Sequence, residues 1–266
     1  MRWRCANGVE RAGRRLLEPG RSFMTQGFSI RALDWDSTFF GLPVASLDSG
    51  TMGLDEAVAG LRAGGFRLCY LQVDPGDLRL DAAARDCGGH LADRRVELEA
   101  DVPAASSGTR TSWEVLSRDP PIADRQALAE LALASGERSR FRTDPRIPSG
   151  DFERLYRVWI DNSIDGSIAD AVLVARESGQ VAGMITVAAR AGAGEIGLFA
   201  VDGRCRGRGL GRKLLQGALN WAADCGCVKL RVATQADNAN ALAAYCATGF
   251  AISRTVNVFH FWIEPR

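Results

Sequence analysis

A run of alternating glycines and basic side chains is the clearest chemical feature of the sequence. Within Arg204–Lys213, which reads R-C-R-G-R-G-L-G-R-K, glycines occupy positions 207, 209 and 211. Glycine lets backbone N–H groups approach a ligand closely because it has no Cβ. Where such a loop opens a helix, the unpaired N–H groups of the first turn and the helix dipole attract anions. The run therefore predicts a cradle for a diphosphate.

The glycine spacing excludes two common phosphate-binding loops. A Walker loop requires G-x-x-x-x-G-K-[ST], but Lys213 is followed by Leu214. The dinucleotide fingerprint requires G-x-G-x-x-G, whereas Gly207, Gly209 and Gly211 give G-x-G-x-G. A glycine-rich turn that carries solvated arginines is the structural alternative.

A second pattern lies about thirty residues downstream, where Asn238 and Tyr245 are seven positions apart. The segment Asn238–Thr248 predicts a helix, and seven residues are about two helical turns, so we expect both side chains on one face. The Tyr245 hydroxyl is then a candidate proton donor beside a ligand. A tyrosine buried in the core is the alternative.

The composition narrows the classes of function. The chain of 266 residues has 33 basic and 32 acidic side chains, so neither nucleic acid nor membrane is an expected partner. No run approaches the ~18 apolar residues of a membrane-spanning helix. With two histidines and seven scattered cysteines, we expect no metal site, no Ser-His-Asp triad, and reduced thiols in a cytoplasmic protein.

Residues 25–102 predict a small α+β domain. Its candidates are strands at 28–33, 43–47, 66–73 and 90–98, helices at 54–63 and 78–87, and a turn-rich segment at 34–41. Trp35, Phe39 and Phe40 are expected in its core, with a sugar-binding surface as the alternative. Residues 1–24, rich in arginine and without apolar periodicity, are expected to be a disordered tail or an over-long start.

Residues 103–110 are small and polar, which predicts a linker to a second domain at 111–266. This domain has candidate strands at 112–116, 196–201, 228–234 and 252–262, a hairpin at 171–187, and helices at 122–135, 151–164, 210–225 and 238–248. The glycine-rich loop thus joins a strand directly to a helix. The second pattern follows the next strand.

Both patterns resemble motifs of the GNAT superfamily of N-acetyltransferases. Arg204–Gly209 matches R-x-x-G-x-G, the acetyl-CoA motif. The second motif, N-x-x-A-x-x-x-Y-x-x-x-G-F, is matched at Asn238, Ala241, Tyr245, Gly249 and Phe250. The resemblance implies an α/β (α+β) fold, the GNAT fold, with a central, mixed, mostly antiparallel sheet flanked by helices. The small α+β domain precedes it, and acetyl-CoA is the implied cosubstrate.

The resemblance also implies roles for individual residues. The strand Glu195–Val201 would splay from its neighbour and pair with the pantetheine arm, and amides near Leu198 and Phe199 would polarise the thioester carbonyl. Tyr245 would be the general acid. The residues expected to bind acetyl-CoA are Leu198, Phe199, Ala200, Val201, Arg206, Gly207, Arg208, Gly209, Leu210, Gly211 and Asn238.

A narrower resemblance covers Gln26–Arg266, which is similar to the dTDP-fucosamine acetyltransferase family of bacterial polysaccharide synthesis. The segments that carry it are Leu33–Gly41, Tyr156–Asn162 and Ala218–Asn238. It implies that the acceptor is the 4-amino group of a dTDP-linked 4-amino-4,6-dideoxy sugar. Ala244 departs from the family pattern, in which a basic residue is expected.

Several alternatives remain open at this point. The acceptor could be a protein N-terminus, a polyamine or an antibiotic, and the protein could be a CoA-binding sensor without catalysis. Trp159 and Asn162 are candidates for the acceptor pocket, although Trp159 lies on the apolar face of its helix. The general base is not identified by the sequence: Glu195 is one candidate, and ordered water is an alternative for a sugar amine of modest pKa. A homodimer is a further expectation. Cys246 is not expected to act as a nucleophile, because adjacent helix residues face different ways.

Overall fold

The computed structural model describes residues 27–103 and 113–264, so the predicted tail at 1–24 and nearly all of the predicted linker at 103–110 lie outside the described residues. The elements in chain order are β1 (Gly27–Ala32), α1 (Asp34–Phe40), β2 (Val44–Gly50), α2 (Leu54–Ala63), β3 (Leu68–Val73), α3 (Leu78–Asp86), β4 (His90–Asp101), β5 (Glu114–Val115), α4 (Ile122–Ser135), α5 (Arg140–Thr143), α6 (Asp151–Asp165), β6 (Ala171–Glu177), β7 (Gln180–Arg190), β8 (Ala193–Val201), a 3-10 turn (Gly203–Cys205), α7 (Leu210–Asp224), β9 (Lys229–Gln235), α8 (Ala239–Cys246) and β10 (Ala251–Trp262). None of the helices in these two stretches is long and apolar enough to cross a membrane.

The chain divides into two compact units. Of the described residues, the first unit contains 27–93 together with 256–264, and the second contains 94–103 together with 113–255. This division differs from the predicted ranges of 25–102 and 111–266. The physical reason is that β4 and β10 are long strands that each run through a boundary, so the end of the chain belongs with the first unit.

The first unit is a sheet covered by helices. β1 and β2 are antiparallel, β2 and β3 are parallel, and β3 is antiparallel to the end of β10. β3 is almost wholly buried, as expected for a central strand with apolar residues on both faces. In the core of this unit, Leu71 of β3 belongs to the same buried cluster as Phe259 of β10, Leu61 of α2 and Ala84 of α3.

Helix α1 differs from the sequence-based expectation of a turn-rich segment at 34–41. Asp34 and Asp36 lie in the first turn, where carboxylates favour the positive end of the helix dipole. Gly41 ends the helix in the left-handed conformation with φ of 67°. The rings of Trp35 and Phe39 stack at 5.3 Å, four residues apart on one side of the helix. The prediction failed because seven residues are too few for apolar periodicity to be recognised.

The second unit has a mixed sheet in the order β4-β9-β8-β7-β6-β5. All of its neighbouring strands are antiparallel except β8 and β9, which are parallel. α7 packs on β6, β7 and β8 through residues such as Leu215 and Ala218, which are fully buried with Ile185. α4 packs against β7 and β8 and against α6.

An ion-pair network fixes the start of α4 to the edge of this sheet. The Arg176 guanidinium donates to Asp124 at 2.7 Å and lies 2.9 Å from Glu114. Hydrogen bonds from Arg176 hold the pKa of the Asp124 carboxyl below its ordinary value of 3.8. A folded-state pKa below the unfolded one means that the stabilisation is present above the unfolded pKa and is lost as the pH falls.

We therefore expect Asp124→Asn to lower the free energy of unfolding by about 1.5–3 kcal/mol at pH 7, the usual range for hydrogen bonds to charged groups. The difference between wild type and variant should shrink at pH 3, where the wild-type carboxylate is protonated in the unfolded chain. Urea titrations at both pH values measure it. An equal difference at the two pH values would contradict the role given to the charge.

Candidate functional site

Strands β8 and β9 separate partway along their length. Their parallel pairing covers only Ala193–Glu195 opposite Lys229–Arg231. β8 then continues to Val201 and β9 to Gln235 without further pairing between them in the described residues. The gap leaves the backbone groups of the second half of β8 available to a ligand, as the resemblance implies.

A bulge in β8 lies next to this gap. The register with β7 pairs Ile185 with Phe199 but Val187 with Ile196, so two residues of β8 stand opposite Thr186. The Leu198 N–H donates to the Thr186 hydroxyl at 2.8 Å. The amide of Leu198 is thus bonded within the protein.

The amide of Phe199 faces the other way. The Asp202 N–H donates to the Ala182 carbonyl at 2.8 Å. Asp202 and Ala182 therefore form a hydrogen-bonded pair of the antiparallel ladder between β8 and β7. Hydrogen-bonded positions alternate along an antiparallel ladder, so Ala200 also bonds toward β7. The N–H groups of Phe199 and Val201 consequently point toward the gap. Two amides are expected near the thioester carbonyl, those of Leu198 and Phe199. Of these, the amide of Phe199 points toward the gap.

The glycine-rich loop has the backbone shape expected of an anion cradle. Gly207 and Gly209 adopt φ of 77° and 79°, and a Cβ at either position would meet nothing within 4 Å. Gly209 caps α7, whose first intrahelical bond runs from the Lys213 N–H to the Gly209 carbonyl. The N–H groups of Leu210 and Gly211 precede that bond and have no partner in the helix.

The basic side chains of the loop fall into two groups. In the first group, Arg204 is paired with Asp202 at 2.6 Å, and its hydrogen bonds lower the pKa of the Asp202 carboxyl to about 2. Arg208 is paired with Glu177 at 2.8 Å. Arg206 donates from Nε to the Val201 carbonyl at 3.4 Å. In the part of the chain that the structure describes, Arg206, Arg212 and Lys213 form no ion pair; these three cations are available to an anionic ligand.

Asn238 lies immediately before the helix, so the prediction that the helix begins at Asn238 is wrong by one residue. α8 begins at Ala239, and Asn238 is its N-cap. Its Oδ1 accepts the Ala241 N–H at 3.3 Å, and its Nδ2 donates to the Thr234 hydroxyl at 3.3 Å. The side chain therefore fixes the start of α8 to the end of β9. An asparagine at this position satisfies an otherwise unpaired N–H of the first turn.

Tyr245 is buried beside the bulged strand. Its ring lies 5.7 Å from the ring of Phe199 and 5.6 Å from that of Phe250. Burial raises the pKa of the phenol well above its ordinary value of 10.0. The hydroxyl makes no hydrogen bond to any described residue, and it is not among the fully enclosed polar atoms. A neutral phenol with a free hydroxyl is what a proton donor requires.

Phe199 lies beside the gap, Tyr245 and the first turn of α7. Its amide faces the gap, and its ring contacts Tyr245. A Cβ on Gly211 would lie 3.4 Å from the same ring, so the first turn of α7 is close to it. The structure thus brings together the strand, the loop and the tyrosine that the sequence patterns singled out.

The two residues proposed for the acceptor pocket both lie on α6. Trp159 is buried, 5.9 Å from the Phe141 ring and 4.9 Å from the Tyr156 ring. Its Nε1 is enclosed and has no hydrogen-bond partner among the described residues. Asn162, half-buried, accepts the Gly166 N–H at the end of α6 through its carbonyl. Trp159 therefore packs as a core residue here.

Two further predictions concern reactive groups. Glu195 is half-buried at the last position of β8 that pairs with β9, before the bulge. Cys246 is exposed, while its neighbour Tyr245 is buried. Among residues 27–103 and 113–264, no group of three or more histidine, cysteine or acidic side chains is arranged to hold a metal ion.

Sequence analysis missed Thr186. The only signal is one hydroxyl within the apolar strand V-A-G-M-I-T-V-A-A, and this hydroxyl is fully buried. Nothing in the local pattern tells that it bonds to a residue twelve positions later.

The sequence is similar to those of known proteins. The model of the acetyltransferase (GNAT) family matches residues 137–250. A dTDP-fucosamine acetyltransferase from Escherichia coli O6:H1 is 30% identical over 240 residues, which are 88% of this chain and 97% of that protein. The spore coat polysaccharide biosynthesis protein SpsD of Bacillus subtilis is 25% identical over 143 residues, 54% of this chain and 49% of that protein.

A solved structure supports the fold. The GCN5-related N-acetyltransferase from Sphaerobacter thermophilus superposes with a TM-score of 0.57 at 15% identity, covering 85% of this chain and 74% of its own. The predicted fold class is confirmed. Together, the family model and the relative that matches nearly the whole chain show that the protein belongs to the GNAT family of acetyl-CoA-dependent N-acetyltransferases.

Proposed function

We propose that the protein transfers the acetyl group of acetyl-CoA to the 4-amino group of a dTDP-linked 4-amino-4,6-dideoxy sugar. The observation that carries the proposal is the extent of the match to the dTDP-fucosamine acetyltransferase, which includes 97% of that protein. A shared catalytic domain alone would not produce it, because the family model covers only residues 137–250.

The residues present fit acetyl-CoA. A diphosphate fits the loop at Gly207–Gly211, where left-handed glycines and the first N–H groups of α7 adjoin three cations that form no ion pair with the described residues. Arg208 would contribute after releasing Glu177. The pantetheine arm fits the gap beside Phe199–Val201, with Leu198 and Ala200 packing under it. Asn238 supports this site by capping α8.

Acetyl-CoA supplies a thioester whose carbonyl carbon is attacked by the amine. The Phe199 amide donates to the carbonyl oxygen as negative charge develops there. The new C–N bond forms first and gives a tetrahedral oxyanion, whose collapse breaks the C–S bond. The Tyr245 hydroxyl gives its proton to the departing sulfur and regains one from solvent before the next turnover. The amine must be neutral to attack, so Glu195 or an ordered water takes its proton. Asn162, at the half-buried end of α6, remains our candidate for contact with the acceptor, and Trp159 supports it from the core.

The acceptor is tested by acetyl-CoA consumption across a panel of amines, with product masses measured. We expect the highest kcat/KM for the dTDP-4-amino-4,6-dideoxy sugar and none for the matched dTDP sugar with a 4-hydroxyl group, which lacks the nucleophile. UDP-amino sugars, peptides, polyamines and aminoglycosides complete the panel. Strong turnover of one of these classes, with none for the dTDP sugar, would refute the acceptor and leave acetyl transfer intact.

Non-catalytic CoA sensing is the second candidate function. It predicts acetyl-CoA binding without consumption for every amine. A free hydroxyl on Tyr245 beside the bulged strand favours catalysis over sensing. A cytoplasmic location and a homodimer belong to the proposal as expectations from the sequence.

A further inference from the structure

We propose that Thr186 is a positioning residue for acetyl transfer. Its hydroxyl holds the bulge of β8 in the register that points the Phe199 N–H at the thioester carbonyl oxygen. The inference rests on the proposed binding of acetyl-CoA along β8, and it does not depend on the identity of the acceptor.

The hydrogen bond stands where the ladder is interrupted. Two residues of β8, Gly197 and Leu198, oppose the single residue Thr186. At such a bulge the regular exchange of backbone bonds is broken and an extra donor must be accommodated. The Thr186 hydroxyl accepts the Leu198 N–H at 2.8 Å. Thr186 is only 2% exposed and Leu198 7%, so water has little access to replace it.

The space for this hydroxyl depends on the residue opposite. A Cβ at Gly197 would lie 2.8 Å from the Thr186 Oγ1, which is closer than real Cβ atoms come to such an oxygen. Chain neighbours aside, this oxygen is the one atom of the described residues that would lie within 4 Å of such a Cβ. Glycine at position 197 therefore leaves the space that the Thr186 hydroxyl occupies.

The bulge controls the direction of the next amide. Without an acceptor, the buried Leu198 N–H would be unsatisfied, which favours a return toward regular pairing. A shift of one residue in an antiparallel register exchanges the groups that face the partner strand with those that face away. The Phe199 amide would then turn from the gap toward β7. The carbonyl oxygen of the bound thioester would lose its donor.

We expect Thr186→Val, which keeps the shape and removes the hydroxyl, to lower kcat about 10- to 100-fold. Loss of a whole oxyanion donor costs roughly 10²–10³-fold, and a displaced donor should cost less. KM for acetyl-CoA should stay within about threefold, because the diphosphate cradle is separate from the bulge. Thr186→Ser retains the acceptor and should restore kcat.

A spectroscopic readout isolates the positioning role. Hydrogen bonding lowers the stretching frequency of the thioester carbonyl, which infrared difference spectra with carbonyl-labelled acetyl-CoA detect without any acceptor. We expect the wild type and Thr186→Ser to lower it, and Thr186→Val to return it toward the value in water-free solvent. Gly197→Ala should have the same effect, since its Cβ displaces the hydroxyl.

Ser37→Ala is the matched control. The Ser37 hydroxyl likewise accepts a backbone N–H, that of Val44 at the start of β2, at 2.9 Å, but it lies in the first unit. Its loss should lower the melting temperature as Thr186→Val does, with kcat and the carbonyl frequency unchanged.

The carbonyl frequencies distinguish a failure of acetyl-CoA binding at β8 from a failure of the role proposed for Thr186. A carbonyl frequency unshifted in the wild type would refute acetyl-CoA binding at the β8 amide, and with it the role of Thr186. A shift that persists in both Thr186→Val and Gly197→Ala would refute Thr186 alone. If Thr186→Val fails to fold, the comparison of Gly197→Ala with the wild type decides the matter in the same way.

Discussion

Replacement of Tyr245 with phenylalanine is expected to lower kcat by about 10²–10⁴-fold, the usual contribution of a general acid. The variant keeps the ring that packs against Phe199 and Phe250 and removes only the hydroxyl. That hydroxyl has no hydrogen bond to a described residue, so its loss leaves no unsatisfied partner. Affinity for acetyl-CoA and the melting temperature should change little.

The pH dependence follows from the raised pKa of Tyr245. Burial disfavours the phenolate, so the hydroxyl keeps its proton at and above the ordinary pKa of 10.0. We therefore expect no loss of kcat from this group between pH 7 and pH 10. The unfolded chain releases its proton first, so the stability that the neutral phenol confers is present below about pH 10 and is lost as the pH rises further.

Tyr70→Phe is the matched control for Tyr245→Phe. Tyr70 is equally buried but packs beside His260 in the first unit. If a tyrosine only packs in the core, its replacement with phenylalanine should change stability and leave kcat nearly normal. This is the result expected for Tyr70→Phe. If kcat of Tyr245→Phe stays within about twofold of wild type, a barrier change well under 1 kcal/mol, then Tyr245 is not the acid.

Sequence analysis predicted the site best where the interactions are local. The loop before α7 depends on glycines that permit positive φ and on the helix N-terminus that follows, and both are encoded within Arg204–Lys213. Tyr245 also keeps its predicted position in a helix after β9. The roles of these residues in binding and acid catalysis remain predictions.

Interactions between distant segments were harder to predict. Asn238 was assigned to the helix because helical spacing alone does not distinguish an N-cap from the first turn. The bulge in β8 depends on the register between two strands and on a hydroxyl of the neighbouring strand, so no periodicity within β8 indicates it. The direction of the Phe199 amide, on which the proposed chemistry depends, consequently required the structure.

Replacement of Gly209 with aspartate is expected to weaken acetyl-CoA binding by about a hundredfold or more, or about 2.7 kcal/mol. Like charges brought together at a binding site cost several kcal/mol, and this carboxylate would stand where the diphosphate is proposed to bind. An aspartate at an N-cap also accepts bonds from the first N–H groups of a helix. It would thereby occupy the donors that the phosphates need.

The same substitution should spare the fold, which makes binding the informative readout. A Cβ at Gly209 meets nothing within 4 Å, and a capping carboxylate at the start of α7 offsets part of the roughly 1–2 kcal/mol cost of a left-handed residue. Gly209→Asn keeps the size and the backbone strain without the charge, so the difference between the two variants measures electrostatics alone. Gly65→Asp introduces the same charge at a glycine with φ of 72° in the first unit and should leave affinity unchanged. Calorimetry with acetyl-CoA gives the affinities of the wild type and of the three variants. Equal affinities of wild type and Gly209→Asp would mean that the diphosphate does not bind at this loop.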